Sequence, residues 1–331
     1  MEQERQKKYI SCLSDGDIVL RDDFGKKINH LALLKNRGKK VPDGFAVSRN
    51  AYDEFISHRR KQIAKIIRSH PPSRASEEIF NLFLEAKFWR RLSGELEAHI
   101  KQFDANTSFA VRSSGIVYSY GLKLKEDSDS RALAGQYETY LKVPPSMVNV
   151  AIRKCWASLF NVRSLKAFNS VLDSSYLDSS MSVLVQRMVQ AERSAVVMTL
   201  DPCEERRVIG IESTYGPCEG LVAGVVEGDL FQVCRERMKI TGKSMGAKLA
   251  SVEHFCFDPQ NQAGFNLVSN EPKLRNEYSL SETMIGRIAK LALELESVFG
   301  APQDIECAIA DGDIFVLQSR NITTFVSRSQ S

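Results

Sequence analysis

The chain has 331 residues, of which 43% are hydrophobic and 26% are charged, a composition typical of a globular protein and not of a disordered one. At ~150 residues per domain, this length corresponds to about two domains or one two-lobed module. Lysine and arginine total 45 against 41 aspartates and glutamates, so the net charge is only +4. This balance gives no electrostatic reason to expect a nucleic acid or a membrane surface as a partner.

The amino-terminal residues 1–10 are charged and lack the apolar stretch of a secretory signal, and no run of ~18 apolar residues occurs further on. We therefore expect a cytoplasmic protein. The seven cysteines are scattered and include no C-x-x-C pair, which fits neither a disulfide framework nor a zinc site.

Residues 52–103 have the composition of helices rich in Lys, Arg and Glu, interrupted at His70-Pro71-Pro72, where proline ends a helix. Trp156 and Phe160 stand at helical spacing and are expected in the core. The polar residues 118–131 predict a surface loop of the kind that often forms a lid.

From Met181 onward, short β-prone runs predict a second, sheet-rich lobe, with strands over residues 182–188, 195–200, 208–212 and 221–226. Ser279 with Glu282 three residues later has the pattern of a capping box. It predicts the start of an amphipathic helix that ends at Gly300.

The last part of the sequence predicts a β-hairpin, because residues 303–309 and 313–320 alternate around Ala310-Asp311-Gly312. A two-residue turn would place Glu306 and Gln318 on opposite faces, whereas a three-residue loop closed by Gly312 places them on the same face. We expect the three-residue loop. The shared face then carries Asp304, Glu306, Gln318 and Arg320.

Two carboxylates, an amide and a guanidinium on one strand pair are costly to bury without partners. Carboxylate and amide oxygens suit Mg²⁺, and a neighbouring arginine suits a phosphate oxygen. The face is thus interpreted as a magnesium-triphosphate site. The alternative is a solvated hairpin face with an Asp304–Arg320 ion pair of little energetic value.

Several segments occur in the same order as the motifs of one known family. They are Gly25-Lys26, residues 41–48, Val111-Arg112-Ser113-Ser114, Ala134-Gly135-Gln136, residues 155–160 and 185–189, Tyr215-Gly216 with Glu219, and residues 302–306 and 317–323. Over residues 17–323 the chain resembles the ATP-grasp nucleotide-binding domain of phosphoenolpyruvate synthase and pyruvate phosphate dikinase, which also occurs in rifampicin phosphotransferase. The resemblance implies an α+β, ATP-grasp fold. The nucleotide would lie in a cleft between a first lobe of about residues 1–188 and a second lobe of about residues 189–325, and residues 326–331 would form a tail.

The resemblance also implies the ligands, ATP and Mg²⁺, and the residues of the phosphate end. Lys26 and Arg112 would bind the phosphates from the first lobe, and Arg320 would meet the terminal phosphates; these three are the candidate catalytic residues. Asp304, Glu306 and Gln318 would hold Mg²⁺. Lys26 as a solvated lysine after a turn glycine, and Arg112 as a structural ion-pair arginine, remain alternatives.

At the base end, the resemblance implies that Gln186, Met188 and Val189 belong to a hinge strand whose backbone meets the adenine, with Glu219 near the ribose. Met188 as core filling and Glu219 as a helix-terminus carboxylate are the alternatives.

Two departures from the family pattern concern the segment after the arginine motif. An insertion separates Arg112 from Glu126-Asp127, and Ala132-Leu133 replace a Ser-aromatic pair. We therefore expect the phosphate-covering loop, within residues 118–136, to be altered.

The sequence favours an ATP-dependent phosphotransferase that stands alone. None of the five histidines lies in a context typical of a phosphocarrier, so the chain is not expected to be a complete synthase. The acceptor would be a small molecule or a separate phosphohistidine-domain protein. An ATP-grasp ligase-type condensation and a non-catalytic nucleotide-binding subunit remain alternative functions.

Overall fold

The structure is a computed structural model that describes residues 8–119, 122–125, 138–169, 179–200, 208–254, 257–258 and 265–322. It mixes helices and strands, as predicted. The chain divides into two compact units. The first unit comprises residues 1–33, 43–188 and 256–263, and the second comprises residues 34–42, 189–255 and 264–331.

The first unit is built on an antiparallel sheet. Its strands are β1 (Ile10–Cys12), β2 (Gly44–Val47), β3 (Phe109–Ser119), β4 (Leu122–Lys125), β5 (Thr139–Val143) and β6 (Ser180–Arg187). They lie in the order β1-β2-β6-β3-β4, and β5 also pairs with β3. Strand β6 is therefore central in the first sheet, so the expectation that the second lobe's strands begin near Met181 is wrong.

Seven α-helices accompany this sheet in the part of the chain that the structure describes. They are α1 (Lys26–Asn36), α2 (Arg49–Ser57), α3 (Arg60–Ser69), α4 (Pro72–Glu85), α5 (Arg90–Ile100), α6 (Val148–Ala157) and α7 (Val162–Asn169). Helix α3 ends just before His70-Pro71, and Pro72 opens α4, as predicted. Proline is tolerated in the first helical turn because the N–H it lacks would have no intrahelical partner there.

An aromatic cluster forms the core of the first unit. Trp156, which is fully buried, lies 5.0 Å from Phe55 and 5.8 Å from Tyr52 between ring centroids. Phe83 contacts both Phe55 and Phe160. The prediction that Trp156 and Phe160 are core residues is confirmed.

The second unit contains another antiparallel sheet. Its strands are β7 (Arg193–Met198), β8 (Val208–Tyr215), β9 (Asp229–Cys234), β10 (Ile240–Ser244), β13 (Gln303–Ala310) and β14 (Asp313–Asn321). They lie in the order β10-β9-β8-β7-β13-β14. A separate pair, β11 (Ala250–His254) with β12 (Phe265–Ser269), and three helices, α8 (Glu219–Val222), α9 (Pro272–Arg275) and α10 (Glu282–Phe299), complete the described part of this unit.

Helix α10 covers one face of the second sheet. It contacts β7, β8, β9 and β13 and buries Ile285, Ile288 and Leu295. Gly300 ends the helix in the left-handed conformation, with φ 64°, as predicted. The N-cap is Ser281, whose side chain accepts from the N–H of Met284, so the predicted capping box at Ser279 is wrong: Ser279 instead donates to the buried Asp229.

Two predicted segments differ from the structure. Residues 221–226 were expected as a strand, but the chain leaves helix α8 through a turn in which Gly224 has φ 66°, a conformation that interrupts a strand. Within the expected loop 118–131, residues 122–125 form β4 and pair with the end of β3. Residues 126–137, which include Glu126-Asp127, Ala132-Leu133 and Ala134-Gly135-Gln136, lie outside the described residues.

In the part of the chain that the structure describes, we find no helix with the length and apolar character needed to span a bilayer.

Candidate functional site

The hairpin of β13 and β14 turns through two residues, Asp311 and Gly312. Both have positive φ, of 51° and 74°, and Ala310 pairs with Asp313. Positive φ at both central positions is typical of a type I′ turn, whose twist matches that of the flanking strands. The predicted three-residue loop is wrong because Asp311 also adopts the left-handed conformation, which aspartate tolerates better than most residues.

A β-bulge at Leu317 then decides which way the candidate side chains point. Cys307 pairs with Val316, but the next pair is Glu306 with Gln318, so Leu317 is the extra residue of β14. One extra residue reverses the facing of every later side chain in that strand. The predicted common face of Asp304, Glu306, Gln318 and Arg320 is therefore confirmed, although a bulge produces it instead of a three-residue loop.

The four side chains of this face form two directly opposed pairs. The Gln318 amide donates from Nε2 to Oε1 of Glu306 at 3.0 Å. Arg320 donates to Oδ2 of Asp304 from Nε at 2.8 Å, and its Nη2 lies 2.6 Å from the same oxygen. Because 44% of the Arg320 side chain but only 14% of the Asp304 side chain is exposed, the carboxylate holds a guanidinium that remains accessible to solvent. We call these four residues the acidic-amide face.

The acidic-amide face continues sideways into a cavity of about 440 Å³. Val196 and Met198 of β7 lie opposite Glu306 and Asp304, and directly opposed residues share a face. Both β7 residues line the cavity, together with residues of β8, β9 and β10. The face and the cavity therefore belong to one side of the second sheet, the side opposite α10.

Glu212 of β8 is a cavity residue that the sequence analysis missed. It lies opposite Val196 and lines the cavity. Burial raises the pKa of its carboxyl, and a hydrogen bond from the backbone of Gly228 partly offsets this effect. In the sequence, Glu212 stands between Ile211 and Ser213, and the side chains of these two neighbours point to the helix-covered face. This alternation indicated only that Glu212 faces the other side of the sheet. Its place in the cavity became clear once the neighbouring strands were known.

In the first unit, Gly25 and Lys26 lie against the arginine motif of β3. A Cβ atom on Gly25 would stand 1.9 Å from Oγ of Ser114, so only glycine fits this contact. The Gly25 N–H donates to Oγ of Ser182 at 3.0 Å, and that hydroxyl donates to the Ser114 carbonyl, also at 3.0 Å. This packing fixes the start of α1, where Lys26 is the first helical residue.

Arg112 and Gln186 share a face of the first sheet with these contacts. In the register of β3 with β6, Ala110 pairs with Gln186, Arg112 with Leu184, and Ser114 with Ser182, so all six residues point to one side. The alternating residues Phe109, Val111, Val183 and Val185 point to the aromatic core on the other side. The structure thus brings Lys26, Arg112 and Gln186 to one part of the first unit.

Of the predicted hinge residues, Gln186 lies in β6, and Met188 and Val189 follow the strand. The N–H of Met188 donates to the Ser108 carbonyl at 2.9 Å, and the Val189 carbonyl accepts from Ala191 at 3.0 Å. The Met188 sulfur accepts from the N–H of Lys142. A hydrogen bond from the Met188 N–H to a base would therefore have to replace one within the protein.

Glu219 is the first residue of the four-residue helix α8, beyond the carboxyl end of β8. It is half-buried, and it is not among the residues that line the 440 Å³ cavity.

The donor set of the acidic-amide face fits magnesium, which usually takes one or two protein carboxylates and completes its shell with water and phosphate oxygens. Asp304 and Glu306 supply the carboxylates and Gln318 an amide. Among the described residues, no cluster of three or more His, Cys, Asp and Glu side chains suits a metal. A cation at this face would therefore depend on Gln318 and on oxygen atoms of a ligand.

Comparison with known proteins gives one family and several longer relatives. Residues 22–331 match the family described as "Pyruvate phosphate dikinase, AMP/ATP-binding domain". Rifampicin phosphotransferase of Streptomyces sviceus is 29% identical over 96% of this chain and 36% of its own length. A probable phosphoenolpyruvate synthase of Methanothermobacter thermautotrophicus is 28% identical over 97% of the chain and 47% of its own length. The prodigiosin synthesizing transferase PigC of Serratia marcescens is 30% identical over 91% and 32%. The chain thus spans less than half the length of each of these relatives.

Proposed function

Because the chain belongs to the family of the pyruvate phosphate dikinase AMP/ATP-binding domain, we propose that it binds ATP with Mg²⁺ and transfers one or more terminal phosphates to an acceptor. The proposal includes the ATP-grasp form of the fold. The observation that carries it is the acidic-amide face, where two carboxylates, an amide and an arginine stand in opposed pairs on one side of a strand pair.

Phosphoryl transfer requires mainly positioning and neutralisation of negative charge. Arg320 supplies a positive charge held by the largely buried Asp304, so the guanidinium loses little further freedom when it meets a phosphate. Lys26 and Arg112 supply two more cations from the first unit. A lysine in the first turn of a helix adds its charge to the partial positive charge of the helix N-terminus, and Gly25 fixes that turn in place.

Glu306, Gln318 and Asp304 are the residues that would hold Mg²⁺. When bound, the cation neutralises phosphate charge and orients the polyphosphate. The protein's part is to keep the oxygen donors together, and the hydrogen bond from Gln318 to Glu306 does so.

Three relatives with different acceptor names, rifampicin phosphotransferase, PigC and a probable phosphoenolpyruvate synthase, match this chain to a similar degree. This pattern supports a module that activates phosphate and leaves acceptor choice to other parts. We accordingly propose a small-molecule acceptor or a phosphohistidine-domain protein for this chain.

The test is incubation of the full chain with ATP and Mg²⁺, alone and with candidate acceptors, followed by phosphorus NMR. AMP or ADP together with a phosphorylated acceptor supports the proposal. ADP with an amide product would identify a ligase-type condensation, and nucleotide binding without turnover across all acceptors would identify a non-catalytic subunit.

Glu306→Gln provides the residue-level test, because the substituted amide keeps the size of the side chain and removes its charge. We expect a loss of Mg²⁺-dependent nucleotide affinity of at least about tenfold, the order of one charge-assisted contact. The control is Glu253→Gln, on an exposed glutamate of β11, which should bind ATP as the unmodified protein does. Equal affinities for the two variants would contradict the proposed magnesium site.

A further inference from the structure

Lys154 of α6 is a buried lysine of the first unit to which the proposed function assigns no role. It is only 2% exposed, and its ammonium lies over three aromatic rings. The distances to the ring centroids are 4.9, 5.3 and 5.6 Å for Tyr140, Phe257 and Phe80. Burial lowers the pKa of this ammonium, and the negative charge of Glu138 partly offsets the effect. Because apolar side chains of similar size often stabilise a buried site at least as well as paired charges do, stability alone does not explain a lysine here.

Glu138 is held at three of its groups by α6 and the residue that follows this helix. Its carboxylate interacts with the charge of Lys154. Its carbonyl accepts from the thiol of Cys155 at 3.7 Å, and its N–H donates to the hydroxyl of Ser158 at 3.5 Å. Burial raises the pKa of the Cys155 thiol, so the thiol keeps the proton that it donates. We call Lys154, Cys155 and Ser158 the α6 clamp.

The clamped residue directly precedes β5, the strand that pairs with the arginine motif. In the register of β3 with β5, Thr139 lies opposite Arg112, so these two side chains share a face of the sheet. Glu138, one residue earlier, points to the other side, where α6 contacts both β3 and β5. The α6 clamp therefore fixes the backbone one residue away from the strand partner of Arg112.

The pairing of β3 with β5 is irregular next to this point. The register shifts between the pair Phe109–Val143 and the pair Val111–Tyr140, and Lys142, within the shifted stretch, has φ 49°, a left-handed conformation. Such an irregularity interrupts the ladder of backbone hydrogen bonds. The start of β5 therefore needs support from outside the sheet, and the α6 clamp supplies it.

We propose that Lys154 and Glu138 are positioning residues for Arg112. Their charge interaction fixes the start of β5, and β5 in turn fixes the place of Arg112 in the sheet, so that the guanidinium meets a phosphate in a prearranged position. Neither residue of the pair needs to touch the ligand. This inference rests on the proposed function, because it requires that Arg112 binds phosphate.

The test is the double variant Glu138→Gln with Lys154→Met, which removes both charges and approximately keeps the size of both side chains. Titration calorimetry of the full chain with Mg²⁺ and inorganic tripolyphosphate measures binding at the phosphate end. We expect the affinity to fall at least about tenfold. The melting temperature should stay within about 3 °C of that of the unmodified protein or rise, because neutral replacement of both members of a buried pair is often tolerated or stabilising.

The matched control is Arg153→Met, which also replaces a long cation of α6 with methionine. Arg153 donates to the carbonyls of Leu84 and Ala86 at the end of α4, so its loss should leave tripolyphosphate affinity within about twofold of the unmodified protein. A second comparison repeats the double variant in an Arg112→Ala background. There it should change the affinity by less than about twofold, because the residue that the pair positions is gone.

The outcomes distinguish the inference from its premise. If the double variant binds tripolyphosphate as tightly as the unmodified protein, or weakens binding by the same factor with and without Arg112, the positioning role is overturned while the phosphate site stands. If the double variant fails to fold, Glu138→Gln alone removes the charge interaction and leaves the lysine among its aromatic rings; unchanged affinity in that variant overturns the role. If the unmodified protein binds neither ATP nor tripolyphosphate, the proposed function and the inference both fail.

Discussion

Breaking the ion pair of Asp229 with Lys248 is expected to lower the free energy of unfolding of the second unit by a large amount. Both side chains are fully buried. Oδ1 of Asp229 accepts from the Lys248 ammonium and from the N–H of Gly246, the latter at 3.0 Å. Oδ2 accepts from the N–H and hydroxyl of Ser279 at 2.7 and 2.8 Å. Four donors thus converge on one carboxylate and tie β9 to the segments that precede β11 and α10.

The substitution Asp229→Asn keeps the shape of the side chain but leaves the ammonium of Lys248 buried without a countercharge. Removing one partner of a buried pair costs about 3–5 kcal/mol, a large fraction of the roughly 5–15 kcal/mol that stabilise a typical fold. The double variant Asp229→Asn with Lys248→Met removes the stranded charge. We expect the free energy of unfolding of the double variant to exceed that of Asp229→Asn by at least about 1 kcal/mol, because the effects of substitutions at contacting residues are not additive.

Urea unfolding followed by far-UV circular dichroism measures these free energies. Tryptophan fluorescence is a second probe that reports unfolding of the first unit, because both tryptophans, Trp89 and Trp156, belong to it. The loss of stability in Asp229→Asn should therefore appear in the circular dichroism change that belongs to the second unit. A loss below about 1 kcal/mol in Asp229→Asn would refute the reasoning, since it would mean that the buried charge is readily solvated.

Three further predictions concern single contacts. Gly25→Ala should destabilise the protein by about 1–3 kcal/mol, because the new methyl overlaps Ser114. Adding Ser114→Gly to this variant should restore most of the lost free energy of unfolding in a urea titration. If the double variant is no more stable than Gly25→Ala, the contact is contradicted. Arg320→Ala should lower ATP turnover at least about tenfold. It should lower the free energy of unfolding by under about 1 kcal/mol, because the arginine is half-exposed. The control is Lys40→Ala, which breaks the exposed ion pair with Asp313, and equal losses of activity in the two variants would count against a role of Arg320 in phosphate binding. Burial raises the pKa of Glu212 above its ordinary 4.5, so its contribution to stability is fully present below pH 4.5 and is lost as the pH rises through the higher folded value. The gain in melting temperature of Glu212→Gln over the unmodified protein should therefore be larger at neutral pH than at pH 4. An equal difference between the two proteins at both pH values would disprove this.

The sequence by itself determined several element boundaries and the family to which the chain belongs. Pro72 and Gly300 mark helix boundaries because their backbone constraints act within a few residues. The alternation of residues 303–309 and 313–320 was sufficient to predict two strands around a turn, and the structure has them as Gln303–Ala310 and Asp313–Asn321. The family resemblance over residues 17–323 was likewise carried by local sequence patterns, and the family match over residues 22–331 confirms that resemblance.

Tertiary structure decided how those elements combine. The bulge at Leu317 sets the facing of Gln318 and Arg320, but local alternation does not specify a bulge, because an extra residue in one strand is defined only by its partner. The assignment of β6 to the first sheet, and the placement of Glu212 two strands from Glu306, depend on pairing between distant segments. Side chains meet across a sheet through register, a property of two or more strands together, and for this reason the cavity beside the acidic-amide face became visible only in the folded chain.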